Sequence, residues 1–429
     1  LHKTYAAAAC LPADGWHGRL IDGGPFGPME TFLSLIREQI FTRTNANEGY
    51  HSVECYTSEP SEALIVAAKL LKTALDELNK PLKKLSMLLL KKLDQEADEL
   101  DSATRNRLDS VSRSITRRGE TISDGWIPML EGFMNGVITD KKFVDWFELS
   151  RAGGNERDIG MYRHWIDPTL PFANVVLKPA HGAMITSATL RDRISENQNP
   201  DIEWNSAEIR TGAAHFITPP ARYSLNSPFD YAKQARIFIV GDLNIRSLDH
   251  LAAAYRELFL ASNGSALGLF TAIGRLKEVY KRLLKPLEEA QLPIFAQHVD
   301  PINVATLVDI FRTVEHSCLL GTDAVRDGVD VPGNSLRLCV FDKVPWPRPT
   351  ILHKARREHF GKKSYDDLIT RLRMKQAFGR LIRKQSDKGV FVMLDGATPT
   401  RLLSCFPEDV IVERIGLADA IKKTKDFLG

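Results

Sequence analysis

The spacing of the hydrophobic positions changes once along the chain, near residue 144. Between residues 60 and 136, Leu and Ile recur every three or four positions, which is the pattern of amphipathic helices. Pro81 falls inside this pattern and predicts a break or a kink, because proline removes a helical hydrogen bond. Shorter helices are expected over residues 29–41, 105–118 and 126–134. Antiparallel packing with short connections then predicts a helical bundle with the leucines in its core.

After residue 144, short apolar runs alternate with amphipathic stretches. The segment ANVVLKPAHGAMITSATL, residues 173–190, contains two such runs. Further candidate strands are residues 237–240, 266–270, 293–299, 317–320, 336–341 and 390–394, with helices at about 274–290, 302–315 and 364–384. Buried strands separated by amphipathic helices indicate a mostly parallel sheet with helices on both faces, which is an α/β fold.

Composition places the chain among ordinary globular proteins and argues against a membrane-spanning protein and against a metal site built from CxxC cysteines. Its 429 residues allow two or three domains, and 43% hydrophobic with 26% charged residues is typical of such domains. No apolar run approaches the length of a membrane span. The five cysteines are scattered without CxxC spacing, so we expect Cys318 and Cys339 in the core, a reducing cytoplasmic compartment and no metal site.

Positive charge is concentrated near the C-terminal end, although the whole chain carries only +3. Residues 351–384 hold eleven Lys or Arg against three Asp or Glu, a local net charge of +8. Such a stripe favours a polyanionic partner, either nucleic acid or nucleotide, but a stripe of this kind is often only a solvated face.

The segment RMKQAFGRLIRK, residues 373–384, concentrates part of this charge. On a helix, Gln376, Arg380 and Arg383 share one side, opposite an apolar face. Two interpretations remain open at this point. The arginines are solvated surface charge, or the two guanidinium groups and the amide converge on a phosphate, for which Arg geometry is well suited.

Two earlier segments carry weaker signals when each is taken alone. In MITSATL, Ser187, Ala188 and Thr189 follow a predicted strand, where small hydroxyl residues also serve as turns or caps. In LLGTDAVRDGVDVPG, Asp327 and Asp330 bracket Gly328 at a predicted strand end. Acidic residues there are equally consistent with a solvated loop.

Together and in this order, the three segments resemble the third, fifth and sixth motifs of superfamily-two DNA helicases of the DinG/XPD-like branch. Within that branch, we expect the bacterial DinG family to be the match. SPFDYAKQARIFI, LGLFTAIGRLKEVYKRL and KVPWPRP also resemble that branch, so the resemblance covers about residues 140–400. It implies a RecA-like second lobe of the P-loop NTPase type with an α-helical arch insertion. The implied domains are a first-lobe remnant at 1–57, the arch at 58–140, the last first-lobe strands with the SAT motif and hinge at 141–200, and the second lobe at 201–429.

The resemblance also implies roles for individual residues. Arg380 and Arg383 would neutralise the γ-phosphate of ATP, and Gln376 would hold the phosphate or the attacking water. Asp327, Asp330, Gly328 and Gly379 would lie on the nucleotide side, while Ser187, Ala188 and Thr189 would couple the two lobes. Implied contacts to DNA are Thr271, Thr322, Arg275 and Trp346.

The sequence departs from the family pattern in three ways. Arg326 and Asp327 replace an aromatic-acidic pair, and Trp346 stands where Phe is usual. The sequence contains neither a GxxxxGK[ST] phosphate loop nor an Asp-Glu-Ala-His box. Since the chain also begins without Met, we expect the C-terminal part of a helicase whose ATP and Mg²⁺ are bound mainly by an upstream lobe, leaving this stretch inactive alone. An iron-sulfur cluster, which some members carry, would also lie upstream.

The leading interpretation is therefore an ATP-dependent DNA helicase that couples hydrolysis to 5′–3′ translocation on single-stranded DNA in repair or replication. Expected partners are ATP and single-stranded, forked or D-loop DNA, with no membrane, for a monomeric protein associated with the nucleoid in the cytoplasm. A second interpretation is a non-catalytic nucleic-acid-binding scaffold that retains the fold. A nucleotide-sugar enzyme with two doubly wound domains is a third, which leaves the three ordered segments unexplained.

Overall fold

The protein divides into two compact units in a computed structural model. The structure describes residues 1–25, 27–44, 51–96, 98–136, 142–194, 199–322, 325, 331 and 333–429. Unit 1 comprises Leu1–Pro168 with Pro349–His359, and unit 2 comprises Thr169–Arg348 with Phe360–Gly429.

Regular elements occupy most of both units. The α-helices are α1 (His2–Ala8), α2 (Trp16–Asp22), α3 (Pro28–Arg43), α4 (Glu62–Gln95), α5 (Ser102–Glu120), α6 (Ile127–Met134), α7 (Thr169–Phe172), α8 (Pro200–Thr211), α9 (Tyr231–Gln234), α10 (Leu248–Ala261), α11 (Ile273–Glu289), α12 (Val304–Thr313), α13 (Ile351–Phe360), α14 (Lys363–Phe378) and α15 (Leu417–Leu428). The strands are β1 (Val53–Tyr56), β2 (Phe143–Ala152), β3 (Asn155–Trp165), β4 (Ala235–Val240), β5 (Ala266–Leu269), β6 (Ile294–Ala296), β7 (Cys318–Gly321), β8 (Leu338–Phe341), β9 (Gly389–Met393) and β10 (Ile411–Ile415).

Unit 1 packs helices against a small antiparallel sheet. Helix α4 begins at the N-cap Ser61, whose Oγ accepts the N–H of Leu64 at 3.2 Å. Leu64, Leu71, Leu75 and Leu78 enter the unit's core as the sequence pattern predicts, whereas Leu70, Leu88 and Leu90 of the same helix are exposed. Of the predicted break or kink at Pro81, the break is wrong, since α4 continues through this residue to Gln95. Burial of the apolar stripe offsets a proline cost of about 3 kcal/mol.

Beside these helices, the three strands of unit 1 pair in the order β1–β2–β3, all antiparallel. Further along the chain, α13 also belongs largely to this unit. Its Ile351 packs with Val144 and Trp146 of β2 in a separate apolar cluster.

Unit 2 is built on a seven-stranded sheet in the order β10–β4–β9–β8–β5–β7–β6, in which every pair is parallel. Alternate residues of one strand enter different cores: Ile237 and Ile239 join one cluster, whereas Phe238 and Val240 join the other. Helices α12 and α14 cover the first face, and α10, α11 and α15 cover the second. The predicted α/β fold with a mostly parallel sheet is confirmed.

The segment at 173–190 differs from its prediction. Residues Ala173–Leu177 form a single turn of π-helix, and the stretch up to Ser187 has no regular structure. Met184 is 89% exposed and Ile185 is 44% exposed. A strand needs a paired neighbour, and none of the described strands pairs with this segment.

The cysteines lie in the two units as buried thiols. All five are unbridged. Cys318 lies in the core under α10, α11 and α15, and Cys339 lies in the core under α12 and α14, so both are core residues as predicted. Burial raises the pKa of both thiols. Over the ranges that the structure describes, no helix is both long and apolar enough to cross a membrane.

Candidate functional site

The carboxyl ends of the parallel strands in unit 2 bring polar side chains to one edge of the sheet. Thr271 follows β5, Asp342 follows β8 and Thr322 follows β7, and these three strands are neighbours. Ligands of open α/β sheets bind at this edge, because the loops after the strands leave a crevice there. We call this region the carboxyl edge.

Asp342 is the buried centre of the carboxyl edge, with 0% exposure. Its Oδ1 accepts the backbone N–H of Thr271 at 3.0 Å, and its Oδ2 accepts Nε of Arg275 at 2.8 Å. Burial raises the pKa of Asp342, while the Arg275 guanidinium acts against that rise. Arg275 also donates to the carbonyl oxygen of Ile245 at 3.0 Å. The predicted DNA contact Arg275 thus has two structural partners inside the protein.

Thr322 is organised by Gln297, which is 5% exposed and follows β6. The amide oxygen of Gln297 accepts the N–H of Thr322 at 2.8 Å and its hydroxyl at 2.9 Å. Nε2 of His298 lies 3.4 Å from the same hydroxyl. Partial burial, together with the Lys277 cation, lowers the pKa of His298. The hydroxyl proton of Thr322 is therefore held by Gln297, and its lone pairs remain for other donors.

Trp346 follows β8 and is 40% exposed. Nη1 of Arg373 donates to the carbonyl oxygens of Pro345 at 3.0 Å and of Trp346 at 3.2 Å. These bonds tie the Trp346 backbone to α14 and leave part of the indole at the surface. An indole in such a place can stack on a nucleobase.

The segment with Gln376, Arg380 and Arg383 is not one helix, so the predicted helix over 364–384 is too long. Helix α14 ends at Phe378 with Gly379 as its C-cap, and Arg380 and Leu381 continue in tight turns. The helix ends because Gly379 favours it weakly and because another acceptor takes the following N–H groups. That acceptor is Oδ2 of Asp387, 2.8 Å from the N–H groups of both Arg383 and Lys384.

Gln234, the last residue of α9, fixes the same loop. It is 7% exposed, and its Nε2 donates to the carbonyl oxygens of Lys384, Gln385 and Asp387 at 3.0, 3.1 and 3.0 Å. Gln234 immediately precedes β4 and the loop immediately precedes β9, so the loop lies at the amino edge of the sheet. Gln376 and Arg383 are exposed and Arg380 is half-buried.

The structure therefore separates the predicted residues into two groups. Gln376, Gly379, Arg380 and Arg383 share one helix end and loop near the amino ends of β4 and β9. Thr271, Arg275, Thr322 and Trp346 follow the carboxyl ends of β5, β7 and β8. One sheet carries both groups, on opposite edges.

The SAT triplet forms an exposed turn that is fixed by its own hydroxyls. Oγ of Ser187 accepts the N–H of Thr189 at 3.1 Å and lies 3.0 Å from its Oγ1. Ala188 between them is exposed. The following residues contact α14, the helix that leads to Arg380. The remaining predicted site residues, Asp327, Gly328 and Asp330, lie outside the described residues.

The basic stripe at 351–384 is not a uniform solvated surface. Arg371 is 4% exposed and pairs with Asp192, and Lys375 is half-buried, with the loss of solvation lowering its pKa. Arg356 donates to the carbonyl oxygens of Ile166 and Trp165 within unit 1. Several of the cations counted in the sequence therefore hold the fold together.

Sequence reasoning missed the residues that organise both groups. Asp342, Gln297, Gln234 and Asp387 are buried or nearly so, and each binds a backbone group or a side chain of a predicted site residue or its loop. A lone Asp after an apolar run was the available signal for Asp342. Among the residues described, no group of three or more His, Cys, Asp or Glu is placed to hold a metal ion.

Comparison with known proteins gives a match over much of unit 2. Residues 255–406 match the helicase C-terminal domain family. The chain is 30% identical over 195 residues to the ATP-dependent helicase DinG of Mycobacterium tuberculosis, covering 43% of this chain and 29% of that protein. It is 30% identical over 225 residues to the ATP-dependent DNA helicase YoaA of Escherichia coli K12, covering 49% of this chain and 32% of that protein.

The chain therefore spans less than a third of the length of these relatives. A solved structure of an XPD helicase aligns with 80% of this chain and 67% of its own, at 14% identity and a TM-score of 0.44.

Proposed function

We propose that this chain, whose residues 255–406 match the helicase C-terminal domain family, is part of a DinG/XPD-like superfamily-two helicase that couples ATP hydrolysis to movement along single-stranded DNA. The observation that carries this proposal is the family match together with a parallel sheet that has a polar carboxyl edge and, at its amino edge, residues 379–388 with Arg380 and Arg383, which we call the arginine loop. Both relatives are named as ATP-dependent helicases.

The arginine loop would serve ATP hydrolysis. Phosphoryl transfer spreads negative charge over the phosphate oxygens, and a guanidinium presents a planar set of donors that can neutralise it. Asp387 and Gln234 fix the backbone of the loop, so its side chains need little further ordering. In this proposal Arg380 and Arg383 meet the γ-phosphate, Gln376 holds the phosphate or the attacking water, and the phosphate loop and Mg²⁺ belong to another lobe of the intact protein.

The carboxyl edge would face the DNA backbone and bases. Thr322 and Thr271 offer hydroxyl and backbone groups for phosphate contact, and Trp346 offers an aromatic face for stacking. Arg275 acts here by neutralising Asp342 and so presenting Thr271, rather than by touching DNA. Polarity from 5′ to 3′, preference for forked or D-loop DNA, a role in repair, monomeric action at the nucleoid and an arch function for α4 and α5 belong to the same proposal.

DNA-stimulated ATP hydrolysis tests the proposal. It should be measured on the longest natural reading frame that encodes these residues and on the 429-residue chain alone. We expect hydrolysis and unwinding of a 5′-tailed duplex from the longer protein, and no DNA-stimulated turnover from the shorter chain. Robust turnover by the 429-residue chain would place a nucleotide site within it, whereas DNA binding without turnover by the longer protein would favour the scaffold.

A further inference from the structure

The residues directly after the SAT turn are bound by side chains of two helices. Nη2 of Arg210, on α8, donates to the carbonyl oxygens of Leu190 and Thr189, the latter at 3.3 Å. Nζ of Lys375, on α14, donates to the carbonyl oxygen of Arg191 at 3.3 Å. We call residues 189–193 the strap.

The most deeply buried ion pair of the strap joins Asp192 to Arg371. Nε of Arg371 lies 2.9 Å from Oδ1 of Asp192, and Nη2 lies 2.6 Å from Oδ2, so the pair is bidentate. The side chains are only 4% and 7% exposed, respectively. Arg371 and Lys375 are four residues apart and thus one turn apart on α14, which means that they present one face of this helix to the strap.

A buried ion pair of this kind is a poor device for stability alone. Taking both charges out of water costs nearly as much as their attraction returns, and an apolar pair of similar volume often serves stability as well or better. What the two parallel hydrogen bonds add is a fixed orientation and register between strap and helix. The pair therefore specifies position.

The position that it specifies is that of the arginine loop. Gln376 lies five residues after Arg371 on the same helix, about 7.5 Å along the axis at 1.5 Å per residue. The helix ends two residues later and leads directly into Arg380 and Arg383. Any shift of the strap relative to α14 must be taken up by the Asp192–Arg371 pair or passed to this loop.

We propose that Asp192 and Arg371 are positioning residues that make the SAT turn and the Gln376–Arg383 segment move as one body. The inference rests on the proposed function, in which the arginine loop meets an ATP phosphate. Asp192 and Arg371 touch neither ATP nor DNA and act through Gln376, Arg380 and Arg383.

The test uses Asp192→Asn in the longest natural reading frame that encodes this chain. We expect the kcat of DNA-stimulated ATP hydrolysis to fall about a hundredfold, as for a group displaced by about 1 Å, with little change in the KM for ATP. The matched control is Asp367→Asn, which opens another bidentate pair of α14, to Arg401 at 2.8 and 3.0 Å. That pair does not involve the strap, so the control should keep the parental kcat.

The double variant Asp192→Leu/Arg371→Met separates position from stability. An apolar pair should restore or raise Tm, yet kcat should stay low because the orientation is lost. Recovery of kcat together with Tm, or parental kcat in Asp192→Asn, would overturn the inference. Arg380→Ala is measured in parallel: if it keeps parental turnover, the proposed function fails, and if it alone loses turnover, only the coupling fails.

Discussion

Nε of Arg275 lies 2.8 Å from Oδ2 of Asp342, a carboxylate with no exposure to solvent. The two residues are 67 positions apart and meet because β5, which precedes the α11 helix carrying Arg275, pairs with β8, which precedes Asp342. The ion pair thus joins the segments that follow β5 and β8 at the carboxyl edge. It gives a partner inside the protein to an arginine for which the family resemblance implies a DNA contact.

Removal of the Arg275 side chain should destabilise unit 2. Arg275→Ala leaves the Asp342 carboxylate buried without its charged partner, which costs about 3–5 kcal/mol in comparable pairs. The control is Arg282→Ala on the same helix, whose pair with Asp249 is largely exposed. We expect the control to cost less than about 1 kcal/mol. Equal urea midpoints for the two variants, with DNA binding lost only in Arg275→Ala, would instead indicate that Arg275 contacts DNA directly.

The cost of Arg275→Ala should also depend on pH. Burial already raises the pKa of Asp342, and loss of the guanidinium removes the main influence that opposes the rise. A carboxyl whose folded pKa exceeds its unfolded value favours the folded state at low pH, and this contribution is lost as pH rises through the folded pKa. The difference in unfolding free energy between parent and Arg275→Ala should therefore narrow from pH 8 to pH 5. A constant difference over this range would mean that Asp342 does not titrate there in the variant.

Much of the fold follows from the sequence, and the physical reason is burial on both sides. Strands such as Leu338–Phe341 are covered by helices on each face and so read as continuous apolar runs. The edge strand Ile411–Ile415 is partly exposed, lacks such a run and was not predicted. Helix α15, which follows this strand directly, was not predicted either.

The site was less predictable because its organising contacts join distant parts of the chain. The apolar period continues formally from Met374 through Leu381, so the pattern alone extends α14 beyond Gly379. The side chain of Asp387 ends that continuation by accepting two N–H groups. Likewise, Arg371 reads as one more cation of a basic stripe until Asp192, 179 residues away, is placed against it.

Binding of single-stranded DNA by the 429-residue chain should depend steeply on salt. Each phosphate contact releases counterions and adds about 0.7 to the slope of log K against log salt for single strands. Lys363 is an exposed cation of the stripe, whereas Arg371 is buried in its ion pair. We expect Lys363→Gln to reduce the slope and the double variant Asp192→Leu/Arg371→Met to leave it unchanged in a fluorescence titration with an oligonucleotide. A parental affinity that does not change between low and physiological salt would contradict the phosphate contacts.

The most discriminating experiment concerns Arg380 in the longest natural reading frame that encodes this chain. If Arg380 neutralises charge on the transferred phosphoryl group, Arg380→Ala should lower DNA-stimulated turnover by about a thousandfold, the lower range for arginine fingers. Binding of ATP and of DNA should change far less, because the interaction strengthens only as the transition state forms. Arg380→Lys should recover little, since an ammonium group cannot reproduce the planar fork.

A surface role for Arg380 makes a different prediction, which the same measurements test. An arginine that is only a solvated surface charge should behave like Arg312, an exposed cation of α12 paired locally with Asp309. Arg312→Ala should change stability by less than about 0.5 kcal/mol and leave turnover intact. The measurement is kcat at saturating ATP and DNA, with thermal unfolding of each variant as the control for folding. If folded Arg380→Ala binds both ligands and hydrolyses ATP as fast as Arg312→Ala, then Arg380 has no part in phosphoryl transfer.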